Sequence, residues 1–150
     1  MPNLFEIANV RIIMLDVDDV VRLHARIMSR MHHGNPGLLS LPKLEGALGR
    51  PMNMVAYGER NLLRLAVAYA IAVSQAHAFV DGNKRAAYGA TLTFLELNAI
   101  AAHRFVWAEE PSLALARLIE RYAMLPAERE ATEAALVALL AATLGLPAEG

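Results

Sequence analysis

The sequence predicts an all-α bundle with room for a short strand or flap. Three observations point to it. Residues 60–76 are apolar nearly all round (Leu62, Leu63, Leu65, Val67, Tyr69, Ile71, Val73), as in a helix buried in the middle of a bundle. Start and stop signals recur along the chain: Asp16, Pro42 and Pro126 where helices begin, and Gly49, Asn98 and Gly145 where they end. No repeat or low-complexity linker interrupts the chain, and 150 residues suffice for one domain with a sizeable core, so residues 1–150 read as a single domain.

The elements follow in order. Residues 10–15 form a short β-branched run that suits one strand. Asp16 then reads as an N-cap, with Asp18 and Asp19 in the first turn, where carboxylates favour the helix dipole. Val17, Val20, Val21, Ile27 and Met28 continue at helical spacing to about Met31, and the Gly34-Asn35-Pro36-Gly37 cluster stops them. A short helix is expected over residues 42–48, closed by Gly49 and Pro51, with residues 52–58 as loop. The long apolar helix follows, then a polar turn and another apolar helix over residues 86–97, ended by Asn98. Arg104 to Trp107 suit a brief extended piece or flap, and residues 111–124 and 126–144 read as two more helices.

Composition narrows the classes. The 14 basic and 15 acidic residues nearly cancel, which gives no global reason to expect nucleic-acid binding. Cysteine is absent, which excludes disulfides, thiolate metal sites and a cysteine nucleophile. The first residues lack the pattern of a signal peptide, and the apolar runs at 65–73 and 134–144 are far short of the roughly 20 residues a membrane span needs. A soluble cytoplasmic protein is the expectation.

The chemistry concentrates in one stretch, His77-Ala78-Phe79-Val80-Asp81-Gly82-Asn83-Lys84-Arg85, between the two most apolar helices. Asp81-Gly82-Asn83 can be an ordinary helix-entry turn, with Gly and Asn tolerating positive φ and Asp or Asn capping the helix. Phe79 and Val80 are most simply core anchors for it. Capping does not account for Lys84 and Arg85, because the start of a helix is already electropositive. Two cations there call for a strong anion, either a carboxylate or a phosphate seated on the free N–H groups of the helix. A basic histidine beside such a turn resembles a phosphoryl-transfer site, where catalysis is mostly positioning and charge stabilisation.

The pattern HxFxDGNKR is similar to the signature of the Fic/Doc family, specifically its Doc (death-on-curing) branch, a group of toxin–antitoxin toxins. The wider Fic pattern is HPFx[DE]GNGR, with Gly where this chain has Lys84. The likeness covers about residues 16–121. It includes the first helix with His24, Gly37-Leu38 leading to Leu44-Glu45-Gly46-Ala47-Leu48, Arg50-Pro51, and Phe94-Leu95-Glu96-Leu97-Asn98. The resemblance implies a phosphotransferase that moves the γ-phosphate of ATP to a protein hydroxyl, with a translation elongation factor (elongation factor Tu) as the family's precedent. It implies His77 as general base, Asp81 as Mg²⁺ ligand, Gly82 and Asn83 shaping the anion nest, and Lys84 and Arg85 binding the nucleotide's phosphates. It also implies a Phd-type antitoxin, a disordered tail that folds as a helix into a groove on the toxin.

This chain departs from the family at a few positions. Ala78 replaces a frequent Pro, Ala86 a common Thr, and Gln75-Ala76 stand where a basic residue or Asn is often found. No [ST]xxxE[GN] self-inhibitory motif is evident, which fits control by a separate antitoxin. A second reading keeps the fold and transfers AMP, as Fic adenylyltransferases do. A third is a non-catalytic binding module or an RNase toxin, because Arg26 and His32 form an R-x5-H pattern that resembles the HEPN ribonuclease signature.

Other residues have simpler expectations. His24 suits a buried histidine hydrogen-bonded to a neighbour, and His32 and His33 suit a solvated loop. Met28, Met31, Met52 and Met54 suit core gap-fillers, and Leu136, Leu139 and Leu140 pack on the bundle or form a dimer seam.

Overall fold

A computed structural model describes residues 3–7, 10–31, 34–102 and 113–147. The expected strand is present as β2, Val10–Met14, but it is paired: β1, Asn3–Ile7, runs antiparallel to it with Phe5 opposite Ile12. Ile12 and Met14, two residues apart and so on one face, are buried. This hairpin is the only sheet among the described residues, and helices make up the rest of the regular structure. The architecture is a helical bundle.

Helix α1, Val17–Ser29, begins as expected. Asp16 accepts the Asp19 N–H at 2.9 Å while the Asp19 carboxylate accepts the Asp16 N–H at 2.9 Å, a reciprocal capping box. Its buried face is Val20, Leu23, His24, Ile27 and Met28, the i, i+3, i+4, i+7, i+8 stripe of an amphipathic helix.

Helix α2 corrects the expectation of a short helix and a loop. It runs from Leu41 to Ala56, straight through Gly49 and Pro51, with the Ser40 hydroxyl accepting the Lys43 N–H at 3.2 Å as its N-cap. Gly and Pro inside a helix cost about 1 and about 3 kcal/mol relative to Ala. Leu44, Leu48, Pro51 and Val55 are nonetheless all buried on one face, against a neighbouring helix. Burial of that stripe outweighs the breakers.

That neighbour is α3, Leu62–Ala76, capped by Asn61, whose Oδ1 accepts from Leu63 N at 3.0 Å and Arg64 N at 3.1 Å. Ten of its residues are buried, as expected for the bundle's centre. One of them, Tyr69, is polar and fully enclosed. Its hydroxyl accepts the Leu15 N–H at 2.8 Å and donates to the Leu15 carbonyl at 3.0 Å, fastening the end of β2 to the core. Burial pushes the phenol far above its ordinary value, so it stays protonated and can donate. Tyr69→Phe removes both bonds and strands two buried backbone groups, at about 1–3 kcal/mol each. Urea unfolding should show a loss of roughly 2–6 kcal/mol on the same basis.

Helix α4, Asn83–Leu97, shares the largest interface with α3 and also packs on α1. Contact with α1 is close: a Cβ on Gly89 would lie 2.8 Å from Ile27 Cδ1 and 3.3 Å from Leu23 Cδ2. Asn98 ends α4 as expected, and its side chain also accepts from Ile13 N and donates to Ile13 O, each at 2.8 Å. Helix α5, Leu113–Met124, leads through a 3-10 turn at Pro126–Glu128 into α6, Arg129–Leu144, which Gly145 closes in the left-handed region. Leu136 and Leu140 of α6 are buried within this chain, which favours packing on the bundle over a dimer seam. His32, His33 and the flap expected at Arg104 to Trp107 lie outside the described residues. Among the described residues no helix is long and apolar enough to cross a membrane.

Candidate active site

The nine-residue motif joins α3 to α4, and its backbone is held from several sides. His77 is the C-cap of α3 in the left-handed region (φ 49°, ψ 42°), which reverses the chain. Ala78 and Phe79 are buried, and an extended segment from α1 runs antiparallel alongside them, with Leu38 bridged to Phe79. Leu39 N donates to Ala78 O at 2.7 Å and Val80 N to Gly37 O at 2.9 Å. The Asn83 side chain closes the turn internally: its Oδ1 accepts Phe79 N–H at 3.1 Å and its Nδ2 donates to Phe79 O at 2.9 Å.

The helix begins at Asn83 rather than Ala86, with Gly82 as N-cap in the left-handed region (φ 80°). No side chain caps it, so the ordinary capping expected of Asp81 or Asn83 is corrected. Asn83 is committed to Phe79. The Asp81 Oδ2 accepts the Asn35 N–H at 2.7 Å, drawn off by the loop that follows α1. The first turn of α4 therefore combines uncapped helix geometry with Lys84 and Arg85 and holds no acidic residue. Such a helix start has the electrostatics that favour an anion.

His77 and Lys84 are exposed and line one cavity of about 190 Å³, whose far wall is α5 with Leu115, Ala116 and Ile119. Arg85, half-buried, stands one residue further into α4. Asp81 is exposed and does not line that cavity. A larger cavity of about 870 Å³ opens beside Arg50, Glu59, Arg64 and Glu133, at the opposite end of α3. Charges there pair, Arg50 with Glu133 and Arg64 with Glu59 at 3.4 Å; the smaller cavity holds a carboxylate as well, Glu120, but it is the one lined by motif residues.

Gly82 is required twice over. Its φ is one that L side chains rarely adopt, and a Cβ would lie 2.6 Å from Met28 Sδ and 3.2 Å from His24 Nε2. Gly82→Ala is expected to cost about 1–3 kcal/mol in stability and to weaken anion binding by misplacing the turn, checked by thermal unfolding and phosphate titration.

Two residues that position the motif were not identified as such from sequence. By sequence Asn35 is only a turn residue. His24 is buried and hydrogen-bonded, as expected of it, but its partner is the motif: Nε2 donates to the Asp81 carbonyl at 2.7 Å, and the ring stacks on Phe79 at 3.7 Å. Burial lowers the His24 pKa, and the Asp81 carbonyl partly offsets that. The separations are 46 and 57 residues, so no local pattern could have shown either contact. Arg26, of the ribonuclease-like pattern, is exposed on α1.

The central helix hairpin of this bundle thus carries a histidine, a carboxylate and a cationic helix start without a side-chain cap within nine residues. A family model described as the Fic/DOC family matches residues 14–95, more than half of the chain. Over 84 residues the chain is 33% identical to "Protein kinase doc" of Escherichia phage P1, a match covering 55% of this chain and 66% of that relative. The chain belongs to the Fic/DOC family. The family model ends near the end of α4, before α5 and α6.

Proposed function

We propose that this protein is a Doc-type toxin that transfers the γ-phosphoryl group of ATP to a hydroxyl on a protein. The observation that carries this reading is the pairing of His77 and Lys84 on one cavity at the uncapped start of α4. The name of the phage relative, a protein kinase, agrees with it. His77 takes the proton of the attacking hydroxyl as an oxygen–phosphorus bond forms, and the bond to the bridging oxygen breaks to release ADP. Backbone N–H groups of the first turn, with Lys84 and Arg85, stabilise the charge on the transferred group.

The donors suit a magnesium ion. Asn35 occupies one oxygen of the exposed Asp81 carboxylate, which leaves a hard oxygen for a cation, and Mg²⁺ commonly takes one or two carboxylates plus substrate phosphates. Bound there, the ion would supply charge neutralisation on the phosphate oxygens. Among the described residues no group of three or more His, Asp or Glu forms an all-protein cage.

Lys84 occupies the position that is Gly in the adenylyl-transferring pattern. Its charge and bulk favour one nucleotide orientation over the other, which is the basis for assigning phosphate rather than AMP transfer. The suspected target is a translation elongation factor, and the expected regulator is a Phd-type antitoxin. Incubation with lysate and ATP labelled at either the α or the γ phosphate tests the reaction. Label is expected from the γ position; label from the α position alone identifies an adenylyltransferase and overturns the phosphotransferase reading. Neither label with growth arrest intact favours the ribonuclease alternative.

A further inference from the structure

We propose that His24 is a positioning residue of this site: a latch that holds the Asp81–Gly82 peptide in one orientation and so aims the N–H groups that begin α4. The proposal rests on the phosphate-site reading above. Its basis is a set of contacts between α1 and the motif.

A trans peptide is planar, with its C=O and N–H pointing in opposite directions. The Asp81 carbonyl points into α1 and accepts from His24 Nε2 at 2.7 Å. The Gly82 N–H of the same peptide therefore points away from α1. Gly82 itself does not enforce this, because a residue without Cβ passes readily between backbone conformations. Rotation of this one peptide would put a carbonyl oxygen where an N–H donor stood, and an acceptor repels the anion that the donor attracts.

The contacts of His24 oppose that rotation. The ring is 1% exposed and lies flat on Phe79, 13° from parallel at 3.7 Å, so it cannot follow a moving carbonyl. Met28, one turn further along α1, abuts Gly82 from the same side. Close packing of α1 on Gly89 fixes the distance between the two helices. The Asn35 N–H in turn holds the Asp81 carboxylate at 2.7 Å. The backbone of Asp81 is thus held by α1 and its side chain by the loop that follows α1. The carboxylate and the α4 N–H groups share that one anchored residue.

His24→Phe separates latch from packing, because it keeps a ring on Phe79 and removes the donor. Amide exchange measured without nucleotide should rise about tenfold or more at Phe79, Val80 and Ala86, whose N–H groups are bonded within and beside the turn, while α3 stays protected. MgCl₂ titration at fixed ATP should show a higher half-saturating concentration and a transfer rate lowered about tenfold or more. His24→Gln, which restores an N–H donor, should recover part of both losses. Should the Phe variant not fold, His24→Leu replaces it, since it also lacks the donor. Exchange at Phe79, Val80 and Ala86 that matches wild type in a folded variant, or that rises equally across α1, α3 and α4, overturns the latch. A wild-type protein that transfers no label from ATP instead overturns the proposed reaction, while the exchange result still decides the geometry.

Discussion

His77→Ala is expected to lower the proposed transfer rate by about 10²- to 10⁴-fold, the usual contribution of a general base. The side chain is exposed on the cavity it shares with Lys84, so its removal opens no hole in the core. The backbone complicates this variant. His77 sits at φ 49°, and Ala tolerates that region less well than His, Asn or Gly, which adds a cost of about 1 kcal/mol in stability. His77→Asn separates the two effects, because Asn accepts the left-handed conformation and supplies no comparable base. Both variants should melt cooperatively, with Asn close to wild type, and both should lose transfer of γ-label to protein. Full activity in the Asn variant would remove His77 from the mechanism.

Phe79→Ala is expected to destabilise the protein by about 3–5 kcal/mol, the range for removing a buried aromatic ring. The ring is 2% exposed and stacks on His24, and its backbone is bonded on both sides by Asn83 and bridged to Leu38. Its loss creates a cavity directly beneath the turn that carries Asp81 and Gly82. Urea unfolding should therefore show a lower midpoint, and transfer by the remaining folded protein should fall because the turn loses its floor. A change below about 1 kcal/mol would mean that the turn is anchored by its hydrogen bonds alone.

Much of the fold was legible in local sequence because the signals act over a few residues. Asp16 and Asp19 announce the capping box, the apolar run of α3 announces a central helix, and Asn98 and Gly145 announce ends. The extended α2 was not legible. Gly49 and Pro51 carry the usual marks of a helix stop, and only burial of Leu44, Leu48, Pro51 and Val55 keeps the chain helical. The first strand was missed for a related reason, since a strand of five residues is defined by its pairing with β2.

The motif itself shows the same division. Sequence alone determined that a histidine, a carboxylate, a glycine turn and two cations lie within nine residues between apolar helices. Spacing that short leaves the chain few ways to separate them, so their grouping was legible without coordinates. Tertiary structure decided how each group is used. It committed Asn83 to Phe79 and turned Asp81 toward Asn35, leaving the helix start uncapped. It also brought His24 across 57 residues to hold the peptide before Gly82. Hydrogen bonds between distant segments form only after the helices have packed, and no local preference encodes them.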